Sequence, residues 1–207
     1  MNFESLKKYQ PAWEWFCNLA LAAMYGLFAY SYILDFINTH RLSSLILVVF
    51  ELTLVLLLLI RRMPKQVTVS LYDWAIAIMG TTLVVFLRPS AEVNDHIVLV
   101  ILQLTGMSIS LFGLFSLNRS YGTVPANRGV QTDGLYRYVR HPVYAGYFVS
   151  LSSYALQNPT TANIIIVCTI LMFKVLRIFA EEELLSQDPE YVAFKQKTRW
   201  RIIPYIF

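Results

Sequence analysis

Charge is scarce in this chain: 14% of its 207 residues are Asp, Glu, Lys or Arg, against 57% hydrophobic ones. Soluble domains carry roughly a quarter charged residues, so a conventional water-facing globule is excluded and a membrane protein is the first reading. Cysteine is nearly missing. Cys17 and Cys168 sit far apart, each inside an apolar run, which leaves neither a disulfide framework nor a CxxC metal site. No P-loop, GxGxxG, HExxH or Cys/His metal spacing occurs, so nucleotide hydrolysis and zinc chemistry are disfavoured and no metal-binding residue is expected. Repeats and low-complexity segments are absent as well. So little chain lies outside the apolar runs that a separate soluble catalytic domain has no room, and 1–207 reads as a single membrane domain. The net charge of +4 and pI near 9.1 do not point to nucleic acid, because the basic residues lie between apolar runs rather than on one patch.

What is present is a series of six apolar stretches, at about 14–34, 43–60, 71–88, 97–117, 142–157 and 162–180. A spanning helix needs ~17–25 residues, and only the fifth stretch, which holds Ser150, Ser152 and Ser153, falls short. The turn Asn158-Pro159-Thr160 joins it to the sixth as a tight helical hairpin. Runs such as Leu54 to Ile60 lack the period of two that a β-barrel strand requires. The expected fold is an all-α polytopic membrane bundle of about six transmembrane helices, five being possible, with a short C-terminal amphipathic helix. Lys7 and Lys8, the group Arg61, Arg62 and Lys65, the arginines 119, 128, 137 and 140, and the tail residues Lys195, Lys197, Arg199 and Arg201 share one side in a six-span topology. Arg41 and Arg88 alone face them from the other side. Both termini and the site are therefore expected to be cytoplasmic. The N-terminal run has no A-x-A-type cleavage site and reads as a retained helix. The sequon Asn118-Arg119-Ser120 would face the cytoplasm on this topology and is a chance match.

The connection from Asn118 to His141 is long for a loop without strong periodicity, and such loops are usually functional or disordered. Tyr121, Val124, Tyr136 and Tyr138 give it apolar anchors that a disordered linker lacks. Pro142 suits the first position of a helix, where its missing N–H is not needed. His141 then stands at the helix entrance, with free N–H groups, the positive end of the dipole and the fixed charge of Arg140 around it. That arrangement suits a carboxylate or phosphate, although a juxtamembrane basic cap facing headgroups would look the same. In the sixth stretch Lys174 and Arg177 precede Glu181, Glu182 and Glu183, and Arg177 and Glu181 share a face. Snorkelling of the two cations is the bland alternative. Three glutamates at that end of a helix oppose both its dipole and an anionic leaflet, which points to a cationic ligand. Asp188-Pro189 reads as a helix start, and Tyr191, Phe194 and Trp200 of the tail could lie on the membrane or over a cavity, interfacial anchoring being the favoured reading. Glu51 is deep enough to need a partner or a proton and is read as a packing or oligomer contact, and Asp73 as interfacial.

Taken together, Gly134-Leu135-Tyr136-Arg137-Tyr138-Val139-Arg140-His141-Pro142-Val143-Tyr144-Ala145-Gly146 and Arg177-Ile178-Phe179-Ala180-Glu181-Glu182-Glu183-Leu184-Leu185 resemble the isoprenylcysteine carboxyl methyltransferase and phospholipid methyltransferase superfamily. With Tyr191 and the Ile203-Pro204 ending, the resemblance covers about 97–207, the expected catalytic core, and leaves 1–96 as N-terminal spanning helices. It implies S-adenosyl-L-methionine as methyl donor and a lipophilic or prenylated acceptor drawn from the membrane. On that basis Arg140, His141 and the helix entrance would take the cofactor's carboxylate, and Glu181 or Glu182 its ammonium. Tyr136 or Tyr144 would line the adenosine or sulfonium region. Arg177 and Glu182 match residues at the reaction centre of relatives and are the expected catalytic pair. The implied reaction is a direct in-line displacement at the methyl carbon, most readily with a carboxylate acceptor such as isoprenylcysteine or with a lipid head group. Two other classes compete: an NADPH-dependent membrane reductase of the sterol-reductase type, against which the acidic run argues, and a non-catalytic membrane scaffold.

Overall fold

The computed structural model describes residues 3–40, 42–88 and 96–207, and the chain divides into two compact units, Met1–Met63 and Pro64–Phe207. The first unit is a helical hairpin of α1 (Phe3–Thr39) and α2 (Leu42–Ile60). Its buried residues include Ala22, Tyr25 and Ala29 on one helix, at the three- and four-residue spacing of one helix face, and Val48, Leu54 and Leu58 on the other. Arg61 Nη2 donates to Asn18 Oδ1 and ties the open end of the hairpin. Glu51 is buried in α2, and its Oε2 has no hydrogen-bond partner among the described residues. Arg41 lies outside the described residues, as do the side chains of Lys7 and Lys8, so these topology signals have no structural account.

The second unit begins with β1 (Gln66–Val67), continues through α3 (Leu71–Thr82), a 3-10 turn at Leu83–Phe86 and α4 (Ile97–Leu117), and reaches β2 (Ala126–Asn127). It ends with α5 (Pro142–Gln157), α6 (Thr161–Leu185) and α7 (Pro189–Lys197). Ser70 caps α3 by accepting from Asp73 N, and Asp188 caps α7 by accepting from Glu190 N, with Pro189 at the first helical position. The two short strands pair antiparallel, Gln66 opposite Asn127 and Val67 opposite Ala126. This pairing, with Lys65 N donating to Asn127 O at 2.7 Å, pins the long connection after α4 to the segment before α3. The loop is thus ordered by backbone partners, as its composition suggested, and the only β structure in the described residues is this clip. Helix α3 packs against α6 within the second unit.

Helices α4 and α5 approach closely because their facing residues are small. A Cβ on Gly106 would stand 2.5 Å from Ser150 N and 2.7 Å from Gly146 O, so no larger residue fits without separating the helices, the usual logic of small residues at membrane helix interfaces. Ser110 Oγ donates to Val143 O at 3.0 Å, and Ser153 is buried on the same side. The serines that weakened the fifth stretch as a span thus belong partly to a protein interface. At the opposite end from the long loop, Asn163 Nδ2 donates to Arg88 O at 2.8 Å and to Asn158 O at 2.9 Å, joining α6 to the chain leaving α3.

Among the described residues three helices are long and apolar enough to cross a membrane, Trp15–Asn38, Ile97–Ser120 and Thr161–Leu185, with shorter apolar helices at Leu45–Ile60 and Leu71–Phe86. Leu27, Phe112, Ile165 and Met172 are large apolar residues exposed on these spans, where lipid rather than water would meet them. The fold is an all-helical integral membrane bundle.

Candidate active site

Two non-helical segments meet at the entrance of α5. The chain leaves α4 and turns through Gly134–Arg137, where Gly134 adopts φ +61° and a Cβ would collide with the Ser116 side chain. It then runs without regular secondary structure through Val139 to His141. There Arg140 N donates to Trp200 O and His141 N to Arg201 O, both at 2.8 Å, so the segment after α7 lies alongside Arg140-His141 and fixes its direction. Pro142 opens α5 as expected, and His141 occupies the capping position without a side-chain cap bond.

Glu182 stands under this junction. Its Oε1 accepts from Arg140 Nε at 2.7 Å and His141 Nε2 at 3.2 Å, and its Oε2 accepts from Arg201 Nε at 3.0 Å. Arg140 Nη1 also donates to the carbonyls of Arg199 and Thr198. Adjacent residues on a helix point about 100° apart, so Glu181 serves a different set. Its Oε1 accepts from the Tyr144 hydroxyl at 2.6 Å and Arg177 Nε at 2.9 Å, while its Oε2 lies 3.8 Å from His141 Nδ1. Glu183 faces outward and is exposed. Arg177 is held on a second side, where its Nη2 donates to Gly122 O at 2.8 Å, and its guanidinium lies 5.6 Å from the Tyr144 ring centroid.

Of the residues expected at the site, Arg140, His141, Tyr144, Arg177, Glu181 and Glu182 converge on one network. Tyr136 is apart from Tyr144: it packs with Tyr191 and Phe194, whereas Tyr144 packs with Ile178 and Ile202. The reading of Tyr191 and Phe194 as interfacial anchors is overturned, since they are 3% and 5% exposed and form a core cluster under the long loop. Snorkelling is overturned for Lys174 and Arg177, which are buried. Burial pushes the hydroxyls of Tyr136 and Tyr191 above the ordinary phenol range, and nearby carboxylate charge, Glu181 for the first and Glu182 for the second, adds to it. Both are therefore neutral hydrogen-bonding groups at physiological pH.

Sequence reasoning counted Arg201 only among the basic tail residues and did not single out Thr198, Gly122 or Thr123. Arg201 completes the Glu182 clamp, and its guanidinium lies about 5 Å from the ring centroids of Phe179 and Phe207. Thr198 Oγ1 donates to Tyr136 O. Among the described residues the hydroxyls of Tyr191 and Thr123 are buried without a hydrogen-bond partner, and a buried polar atom left unmatched is costly unless a ligand or water completes it.

Buried ions of both signs, gathered where two loops meet a membrane helix, mark this junction as a candidate functional site. Residues 97–187 match the model of the Isoprenylcysteine carboxyl methyltransferase (ICMT) family, so over that stretch the chain is similar to this methyltransferase family. The matched stretch contains Arg140, His141, Arg177, Glu181 and Glu182 and ends before Tyr191, Thr198 and Arg201. No curated protein matches the chain.

Proposed function

We propose that the protein is an S-adenosyl-L-methionine-dependent methyltransferase that methylates a lipophilic acceptor, most readily a carboxylate such as that of an isoprenylcysteine, or a lipid head group. The observation that carries this reading is the division between the adjacent glutamates. Glu182 is enclosed by Arg140, His141 and Arg201, whereas Glu181 Oε2 has no donor nearer than His141 Nδ1 at 3.8 Å. A zwitterionic amino-acid end requires donors and an acceptor side by side, and this pair of environments supplies them.

The chemistry of the residues fits the cofactor. Arg140, His141 and Arg201 would hold its carboxylate, Glu181 its ammonium, and Tyr144 the region of the sulfonium, to which an aromatic face is attracted. The unmatched hydroxyls of Tyr191 and Thr123 are suited to the polar atoms of a nucleoside. When bound, the cofactor supplies an activated methyl group.

The remaining work belongs to the protein. Arg177, fixed between Glu181 and Gly122 O, orients the acceptor's anionic group. Glu182 acts by aligning Arg140, His141 and Arg201. A carboxylate acceptor needs no proton removed, so no strong general base is required, and alignment alone can contribute roughly 7–11 kcal/mol where reacting atoms are held in line. The apolar faces of α4 and α6 exclude water and admit an acceptor sideways from the bilayer. The basic loop before α5 and the basic tail support a cytoplasmic face for this site by the positive-inside rule.

Two measurements test the proposal. Isothermal titration of the purified protein should show binding of S-adenosylmethionine or its demethylated product, and membrane extracts given methyl-labelled cofactor should yield a labelled lipid-soluble product. Binding of a nicotinamide cofactor in place of S-adenosylmethionine would replace the proposal with a reductase.

A further inference from the structure

One buried cation is unused by the mechanism above. Lys174 lies three residues before Arg177 on α6, on the same face and about one turn farther into the span. Its residue is 5% exposed, and its Nζ lies 4.3 Å from the Tyr147 ring centroid and 5.9 Å from that of Tyr144. Among the described residues no carboxylate forms an ion pair with it. Aromatic faces compensate only part of what an ammonium loses on leaving water.

The surrounding charges do not balance it. Among the described residues Arg140 and Arg201 pair with Glu182, and Arg177 pairs with Glu181. Glu181 is engaged by Arg177 and Tyr144, and Glu182 by Arg140, His141 and Arg201. A bound S-adenosylmethionine, with a sulfonium beside its zwitterion, adds a further positive charge. An anionic group on the other reactant would close the balance.

We infer that Lys174 is a specificity-determining residue for the acceptor: its ammonium, flanked by Tyr144 and Tyr147, receives an acid group, carboxylate or phosphate, on a membrane-soluble amphiphile. This rests on the methyltransferase reading, and it adds a residue and a discrimination that the Arg177 and glutamate pattern does not contain. An amine or neutral acceptor leaves Lys174 unmatched and is rejected, since a buried charged group without its partner is strongly penalised.

The test uses the full chain in lipid nanodiscs with three probes: N-acetyl-S-farnesylcysteine, its carboxamide, and farnesyl phosphate. Affinities are measured with and without saturating S-adenosylhomocysteine. Wild type should bind one acid probe at least about tenfold more tightly than the carboxamide, as a charge-assisted hydrogen bond implies. Lys174→Met, which removes the buried charge at nearly constant shape, should abolish that preference, and Lys174→Arg should keep most of it. Neither variant should alter the affinity for S-adenosylmethionine. Preference for the carboxylate or for the phosphate identifies which acid is read. Equal binding of acid and amide by wild type, an undiminished preference in Lys174→Met, or a parallel loss of cofactor affinity in that variant overturns the inference. Failure of the methyltransferase reading would appear differently, as no cofactor binding by wild type while the acid preference persists.

Discussion

Replacing Glu182 by alanine removes the acceptor shared by Arg140 Nε, His141 Nε2 and Arg201 Nε, at 2.7, 3.2 and 3.0 Å. Arg140 and Glu182 are 6% and 5% exposed at their side chains, so their pair is buried, whereas Arg201 is 30% exposed and its share is reduced by solvent. Breaking a buried pair by deleting one partner costs about 3–5 kcal/mol, because the other charge stays behind uncompensated. Glu182→Gln keeps the shape and one acceptor oxygen and should cost roughly half as much, by the scale of one or two lost charge-assisted bonds. Glu183→Gln, on the exposed neighbour, should stay within about 0.5 kcal/mol. Thermal unfolding in detergent, followed by tryptophan fluorescence, should place Glu182→Ala on the order of 10 °C below wild type. Equal melting of Glu182→Ala and Glu183→Gln would refute the clamp as a stabilising element.

Two further predictions concern the frame around the site. Gly106→Ala sets a methyl group against the α5 backbone, where the nearest atom stands 2.5 Å away; overpacking of this kind costs about 1–3 kcal/mol, and a melting temperature equal to wild type would contradict the α4–α5 contact. The Asp188 carboxyl is held below its ordinary range by the Asn127 amide first, then by the Glu190 N–H, with Lys65 contributing less. Its stabilisation is therefore complete above the ordinary carboxylate pKa and is lost as pH falls through the depressed value. Asp188→Asn should be less stable than wild type at neutral pH, with the difference vanishing in strong acid; a constant difference at every pH would count against this link between the long loop and α7.

Element boundaries that rest on local chemistry were legible in the sequence. The fourth apolar stretch coincides with α4, and Pro142 and Asp188-Pro189 mark the starts of α5 and α7. Convergence of Arg140-His141 with Arg177 and the glutamates came from the joint motif, since the residues are some forty positions apart. What stayed hidden depends on tertiary contact. Arg201 belongs to an irregular segment that meets Arg140-His141 through its own backbone carbonyls, so no periodicity announces it. Tyr191 and Phe194 look interfacial because a short basic helix with aromatics suits a membrane surface, yet Tyr136 from the long loop covers them. Lys174 looks like a snorkelling cation until α5 is placed against α6, when Tyr144 and Tyr147 close over it.

The central claim is that Glu181 and the Glu182 clamp together hold the two charges of S-adenosylmethionine. Its most direct test is calorimetric titration of the cofactor into wild type, Glu181→Gln and Glu183→Gln, with folding checked by melting temperature. Loss of a charged hydrogen bond of about 1.5–3 kcal/mol predicts at least about tenfold weaker binding for Glu181→Gln, with Glu183→Gln unchanged. Equal affinity in all three proteins, or no binding to wild type, would contradict the account.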